Sequence, residues 1–245
     1  MTKMLKVALL FSGTLALVAC DSGTSTAAPA AKTEAKGSAP AAKDWTTVVV
    51  ETPEGGFRMG NPDARVKLVE FASFTCSHCR DFHKEAEAKL KPDYVKSGQV
   101  SYEYRPFMLN IYDFAATQLA TCQGPEKFFT WAGELFNNHD AWIEPFTKLT
   151  EADITPLRNQ SMGKQVLGLA TAGKFNSFAA ARGVPRAKFD ACLSDEAKIE
   201  ALTKRQQAAI DAYQIQGTPT FVLNGKKVEN AASWAQLQPK IAEAL

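Results

Sequence analysis

The chain has 245 residues, 45% hydrophobic and 22% charged, a globular balance with enough length for a sizeable core in one or two domains. Its formal charge is +2, and Lys3 and Lys6 account for the surplus: leaving those two out of the 28 basic residues gives 26 against 26 acidic ones. That neutrality excludes the general electrostatic footprint of nucleic-acid binding, and attachment to anionic lipid by charge alone.

Residues 1–19 read as a targeting segment. Lys3 and Lys6 form a short basic start, and Val7–Ala19 is apolar but too short to span a bilayer as a mature helix. The segment ends Leu17-Val18-Ala19-Cys20, which resembles a bacterial lipobox. The resemblance implies a lipoprotein signal peptide over residues 1–19, cleavage before Cys20 and lipidation of its thiol. An ordinary secretory signal with an incidental cysteine is the alternative. Asp21 resembles the residue that keeps lipoproteins at the inner membrane in many Gram-negative bacteria. The expected location is therefore the periplasmic side of that membrane, held by acyl chains at about 0.8 kcal/mol per buried methylene. Residues 20–44 comprise the attachment site and a tether. Asp21–Lys43 is dominated by Ala, Ser, Thr, Pro, Gly and Lys, which cannot offset the entropy of ordering. As a coil it spans roughly 25–30 Å. Export also bears on the cysteines. Five is odd for a secreted chain, but with lipid on Cys20 four remain, Cys76, Cys79, Cys122 and Cys192, in an oxidising compartment.

Order is expected over 45–245. Thr46–Val50 is β-branched and predicts a strand. Pro53-Glu54-Gly55-Gly56 and Gly60-Asn61-Pro62-Asp63 are turn chemistry. Val66–Ala72 has the near-continuous apolar character of a buried strand, interrupted by Lys67 and Glu70. Cys76-Ser77-His78-Cys79 follows, opening a helix from about Ser77 to Leu90, with Pro92 as its break or kink. Gln99–Met108 alternates as a strand ending at Pro106. From Tyr112 to Tyr213 only helical spacing is seen: Phe114–Cys122, Phe128–Phe136, Asp153–Leu157, Lys164–Ala181, Pro185–Leu193, and a last helix with Ser194 as its N-cap. The aromatic residues there read as bundle core. Gly217-Thr218-Pro219-Thr220-Phe221 then turns into a strand, Asn224-Gly225 signals a hairpin to Lys226–Glu229, and Ser233–Ala244 closes as an amphipathic helix.

Strand, Cys-x-x-Cys, helix, a long helical insertion after the next strand, then Thr218-Pro219-Thr220-Phe221 before a hairpin: this order resembles the DsbA-like branch of the thioredoxin superfamily. Gly60-Asn61-Pro62-Asp63-Ala64 and Leu68-Val69-Glu70-Phe71 share in the resemblance, which covers roughly Thr46–Leu245. It implies an α/β, thioredoxin-like fold with an inserted all-helical domain, here about 112–200, on a four- or five-stranded sheet. It also implies a cis Thr218-Pro219 bond beside the cysteine pair, with the backbone of Thr218 as an edge for an extended substrate.

The expected chemistry is thiol–disulfide exchange without cofactor or metal. Cys76, where strand gives way to helix, faces the helix N-terminus, where unpaired N–H groups favour a thiolate. Cys79, one turn further in, is the buried resolving thiol. Ser77 and His78 are tuning candidates, His78 through a hydrogen bond or a positive charge. Glu70 is a carboxylate in an apolar strand. The resemblance implies a buried acid assisting proton movement at Cys79; a side chain that reaches water or a salt bridge is the alternative. Phe71 and Phe74 are core or groove wall. Cys122 and Cys192 both fall in the helical block. Export favours a disulfide between them over two buried thiols, and the resemblance points the same way, since several members of that branch carry a second disulfide there.

The expected function is oxidation of reduced or misfolded exported proteins, with a DsbB-like quinone-linked membrane protein as the electron acceptor. Residues 21–44 are too short and polar for the dimerisation domain common in isomerases, which leaves isomerase or reductase as the alternative. Cys76, Cys79 and His83 have spacing for one helix face, but His78 and His139 offer no second close ligand pair for structural zinc. Copper handling by the soft thiolates is a further alternative, as is a non-catalytic folding helper.

Overall fold

The computed structural model describes residues 43–245; the signal segment, Cys20 and nearly all of the tether lie outside the described residues. A 3-10 turn, Trp45–Thr47, comes first, capped by the Asp44 carboxylate, which accepts from the Thr46 N–H at 3.0 Å. This local cap competes with strand formation, so β1 covers Val49–Glu51 and not Thr46–Val50. β2 (Phe57–Met59) lies between the two predicted turns and was not expected. Three residues carry too little periodicity to read. Tertiary partners fix it: Phe57 pairs opposite Tyr104, Met59 opposite Tyr102, and the Phe57 ring stacks 3.9 Å from Phe128.

β3 (Val66–Ala72) is the expected apolar strand. α1 (Ser77–Lys89) buries Cys79, Phe82 and Ala86, a single helical stripe. Pro92 does not stop the helix. The chain continues through Leu90–Val95 as a wider π segment, with the Lys96 N–H bonded to the Lys91 carbonyl at 2.9 Å. Five-residue spacing accommodates the N–H that proline lacks. β4 (Val100–Pro106) follows.

Seven helices come next: α2 (Ile111–Thr121), α3 (Phe128–Asn137), α4 (His139–Thr147), α5 (Glu151–Ile154), α6 (Met162–Ala172), α7 (Phe175–Ala180) and α8 (Arg186–Leu193). α4, which contains Pro145, was not expected. The single helix predicted over Lys164–Ala181 is two, because Lys174 turns left-handed (φ 58°) after Gly173. Glycine is required at 173: a Cβ there would lie 2.5 Å from the Phe146 ring. α9 (Glu196–Tyr213) is capped by Asp195, not Ser194. The Ser194 hydroxyl instead donates to the Asp190 carbonyl at 2.8 Å, closing α8. A Cys122–Cys192 disulfide joins the end of α2 to α8, with Cα atoms 6.0 Å apart.

β5 (Thr220–Leu223), β6 (Lys226–Lys227) and α10 (Trp234–Ala244) complete the chain. Both hairpin residues, Asn224 and Gly225, have positive φ (49° and 81°), as a tight primed turn needs. The sheet has six strands in the order β1-β2-β4-β3-β5-β6, so the expected four or five is corrected by the short β1–β2 extension. β3 runs parallel to β4, and every other pairing is antiparallel.

Alternation along β3 divides its contacts. Leu68 and Ala72 enter the main core with Phe82, Phe221, Leu237 and Ile241, the residues of α1, β5 and α10. Phe71 points the other way, into a second cluster with Phe107, Ile215 and Val222 beneath Ala209, Ile210 and Tyr213 of α9. Glu70 therefore shares the face covered by α1. Phe74, Phe82 and Phe221 are each almost wholly buried. At about 1.5–3 kcal/mol per ring, they fix the turn between β3 and α1 against the sheet.

Candidate active site

Cys76 is the N-cap of α1, with extended backbone, and its sulfur accepts from the Cys79 N–H at 3.4 Å. The same thiol donates to the carbonyl of Thr218 at 3.3 Å. Thr218-Pro219 is a cis peptide, so residues 142 apart in sequence meet at this sulfur. The Cys76 thiol is depressed to about 5, chiefly by hydrogen bonding with the Cys79 thiol; the Thr218 side chain and the N–H groups of Cys79 and His78 assist, and burial opposes them. Cys79 is wholly buried, and that burial, with the Glu70 charge nearby, pushes its thiol well above the usual range. One thiol is thus poised to ionise and its neighbour to stay protonated. Neither is in a disulfide.

Glu70 does not reach water. It is 2% exposed, and burial raises it to about 8, against the hydrogen bond donated by the Tyr102 hydroxyl. Ser77 and His78 are exposed. His78 addresses the sulfur through its backbone N–H, whereas the sequence directs attention to its imidazole. Phe74 is core, its ring 5.2 Å from Tyr104 and 5.1 Å from Phe136. His83 is engaged by Glu87 at 3.3 Å and packs on Phe136. His139 lies beside Asp140 at 3.0 Å. Among the described residues, no three His, Cys, Asp or Glu side chains converge as a metal-binding group. A cleft of about 550 Å³ borders Pro219, its wall mixed: Gln216, Lys227, Glu229 and Gln236 are polar, Val228 and Ala231 apolar.

Two residues of the site escaped the sequence reading. Tyr102 carried only a strand signal. Asp113 is wholly buried and accepts five hydrogen bonds, three from Ser73 and Thr75 in the turn before Cys76 and two from the Leu109 and Asn110 N–H groups. Its signal was Asn110-x-x-Asp113, a capping box at the start of α2.

A sheet with a helical insertion, a Cys-x-x-Cys pair capping the helix after its central strand, and a cis-proline against the first sulfur define a thioredoxin-like thiol protein. The thioredoxin family model matches residues 52–243, and the chain belongs to that family. A solved protein-disulfide isomerase from Novosphingobium aromaticivorans is 34% identical, with TM-score 0.74, over 77% of this chain and 96% of that one. Wolbachia pipientis alpha-DsbA1 shares the fold at 22% identity and TM-score 0.60, over 76% of this chain and 89% of that one. A Rickettsia bellii protein named "putative protein-disulfide oxidoreductase" is 26% identical over 75% of this chain and 62% of its own length. The chain thus spans about three-fifths of the rickettsial relatives it matches. Disulfide bond formation protein D of Bacillus subtilis is 20% identical over 76% of each chain.

Proposed function

We propose that the chain is a protein thiol–disulfide oxidoreductase of the DsbA type, working as an oxidase on exported proteins. One observation carries this reading: the Cys76 sulfur sits at the α1 N-terminus and against Thr218, with Cys79 buried behind it. Every donor at that sulfur favours the thiolate, hence the dithiol form, and a stabilised dithiol makes its disulfide a strong oxidant.

In the cycle, a client thiolate attacks the Cys76–Cys79 disulfide at Cys76. The Cys79 sulfur leaves with the electron pair and takes up a proton. A second client thiolate then attacks the client sulfur of the mixed disulfide, and Cys76 leaves as a thiolate. The client loses two electrons and the enzyme gains them. Glu70, buried on the α1 face and bonded to Tyr102, is the group we assign to proton movement at Cys79. In the mixed disulfide the Cys76 sulfur no longer donates to Thr218, so that carbonyl is free to pair with an extended client. The cleft beside it, with polar and apolar walls, offers room for the side chains of such a client. Ser77 and His78, exposed next to Cys76 in the chain, are the groups we assign to tuning it.

Reoxidation requires an electron acceptor, for which a DsbB-like quinone-linked membrane protein is our proposal. Lipid on Cys20 would keep the enzyme beside it, at the periplasmic side of the inner membrane. The Novosphingobium structure, described as a protein-disulfide isomerase, favours disulfide isomerisation as the second reading. Equilibration with glutathione separates the two. A potential of about −120 mV supports the oxidase, one of about −180 mV the isomerase, and one of about −270 mV a reductant. If the purified protein neither oxidises a reduced peptide nor reduces insulin, both fail.

A further inference from the structure

We propose that Asp113 is a positioning residue for Cys76, holding the turn before it so that the sulfur meets the α1 N-terminus and Thr218. The proposal rests on the oxidoreductase reading. As the third residue of α2, Asp113 completes a capping box by accepting from the Asn110 N–H at 3.3 Å. Its other bonds are not needed for that duty. Oδ1 accepts from the Ser73 hydroxyl at 2.8 Å and the Thr75 N–H at 3.0 Å. Oδ2 accepts from the Thr75 hydroxyl at 2.9 Å and the Leu109 N–H at 2.9 Å. Five donors on two oxygens saturate a carboxylate. The Asn110 side-chain amide adds a bond to the Thr75 hydroxyl at 2.8 Å. Both polar handles of Thr75 are therefore gripped from the helical insertion, one residue before Cys76. The Cys76 N–H closes the turn on the Ser73 carbonyl at 3.3 Å.

Two effects of Asp113 on the Cys76 thiolate oppose each other. Its negative charge repels the thiolate. Its grip aligns the sulfur with the Cys79 N–H, which donates to it at 3.4 Å. Alignment wins, because the carboxylate charge is already dispersed over five donors, whereas hydrogen bonds at the sulfur weaken steeply with distance and angle. Replacing Asp113 with Asn turns an amide NH2 toward backbone donors and loosens the turn. A capping role alone would leave the sulfur chemistry unchanged, so the sign of the effect separates three roles.

The test is the thiol–disulfide equilibrium of the full chain with glutathione, together with the pH midpoint of thiolate absorbance. For Asp113→Asn the expected result is an equilibrium shifted about tenfold toward the enzyme disulfide, about 30 mV for a two-electron couple, and a raised thiolate midpoint. Thr75→Val should shift both in the same direction by less, and Thr75→Ser, which keeps the hydroxyl, should restore them. Should Asp113→Asn fail to fold, the Thr75 pair decides. An unchanged equilibrium, whatever happens to stability, overturns the proposal, and so does a shift in the opposite direction, which would mark a charge effect. A wild-type chain that never equilibrates with glutathione overturns the oxidoreductase reading itself.

Discussion

The described residues hold two cysteine pairs, and they sit at opposite ends of helices. Cys76 caps the N-terminus of α1, with Cys79 one turn in. Cys122 is the C-cap of α2, and Cys192 lies in the last turn of α8. Helix N-termini present unpaired N–H groups and favour anions; helix C-termini present carbonyls and disfavour them. The same side chain is thereby made reactive in one place and inert in the other. The second difference is span. The first pair, when oxidised, closes only a four-residue loop, with about half the chain-entropy effect of the second. The second ties residues 70 apart across the insertion.

Breaking the first pair should give the largest effect. Cys76→Ser is expected to reduce oxidation of a dithiol peptide to the uncatalysed rate, and survival of turnover would contradict the assignment. Cys79→Ser should leave the first attack possible and the resolving step absent, so mixed disulfides with clients accumulate on non-reducing gels.

Breaking the second pair should cost stability and leave chemistry. The double replacement Cys122→Ser, Cys192→Ser is expected to lose about 4 kcal/mol on the chain-entropy model. Denaturant unfolding of the oxidised protein measures this. Glutathione equilibration of Cys76 and Cys79 should change little, and a large shift would show the insertion disulfide to be coupled to the site.

Glu70→Gln comes next. It should fold, because the amide oxygen still accepts from Tyr102. Turnover should fall by up to about a hundredfold, the low end for positioned acid–base groups. An unchanged rate would return Glu70 to a structural role.

The smallest effect is the pH dependence of stability. Cys76 is depressed from 9.0 to about 5 in the folded reduced protein. A depressed group contributes stability that is complete above the unfolded value, about 9, and lost as pH falls through about 5. The oxidised pair has no thiol to titrate, so the reduced form should gain on the oxidised form between those limits. Glu70, raised from 4.5 to about 8, acts in the opposite sense: its contribution is complete below about 4.5 and lost as pH rises through 8. Glu70→Gln should therefore steepen the rise in the reduced form's own stability with pH. Unfolding of both redox forms across this range checks the sign.

Much of this contrast was legible in the chain. Cys76-Ser77-His78-Cys79 after an apolar strand placed one pair at a helix N-terminus, and export favoured pairing of the other two cysteines. Three of the misses share one cause. β2 is three residues long, α4 contains a proline, and the break at Gly173 answers to the Phe146 ring. In each, a partner distant in sequence overrides local propensity. Asp113 was hidden in the same way, because its capping role is local while its grip on Thr75 crosses 38 positions.

Sequence by itself determined the order of the longer elements around the site, the N-terminal placement of Cys76 and the carboxylate within β3. These follow from periodicity, turn residues and the handedness of strand and helix, all local properties. Only the tertiary structure decided what surrounds the sulfur: the Thr218 carbonyl, the depth of Cys79, the isolation of Glu70 with Tyr102, and the clamp from Asp113. Each is a matter of burial and of hydrogen bonds between segments far apart in the chain, and those set which thiol ionises.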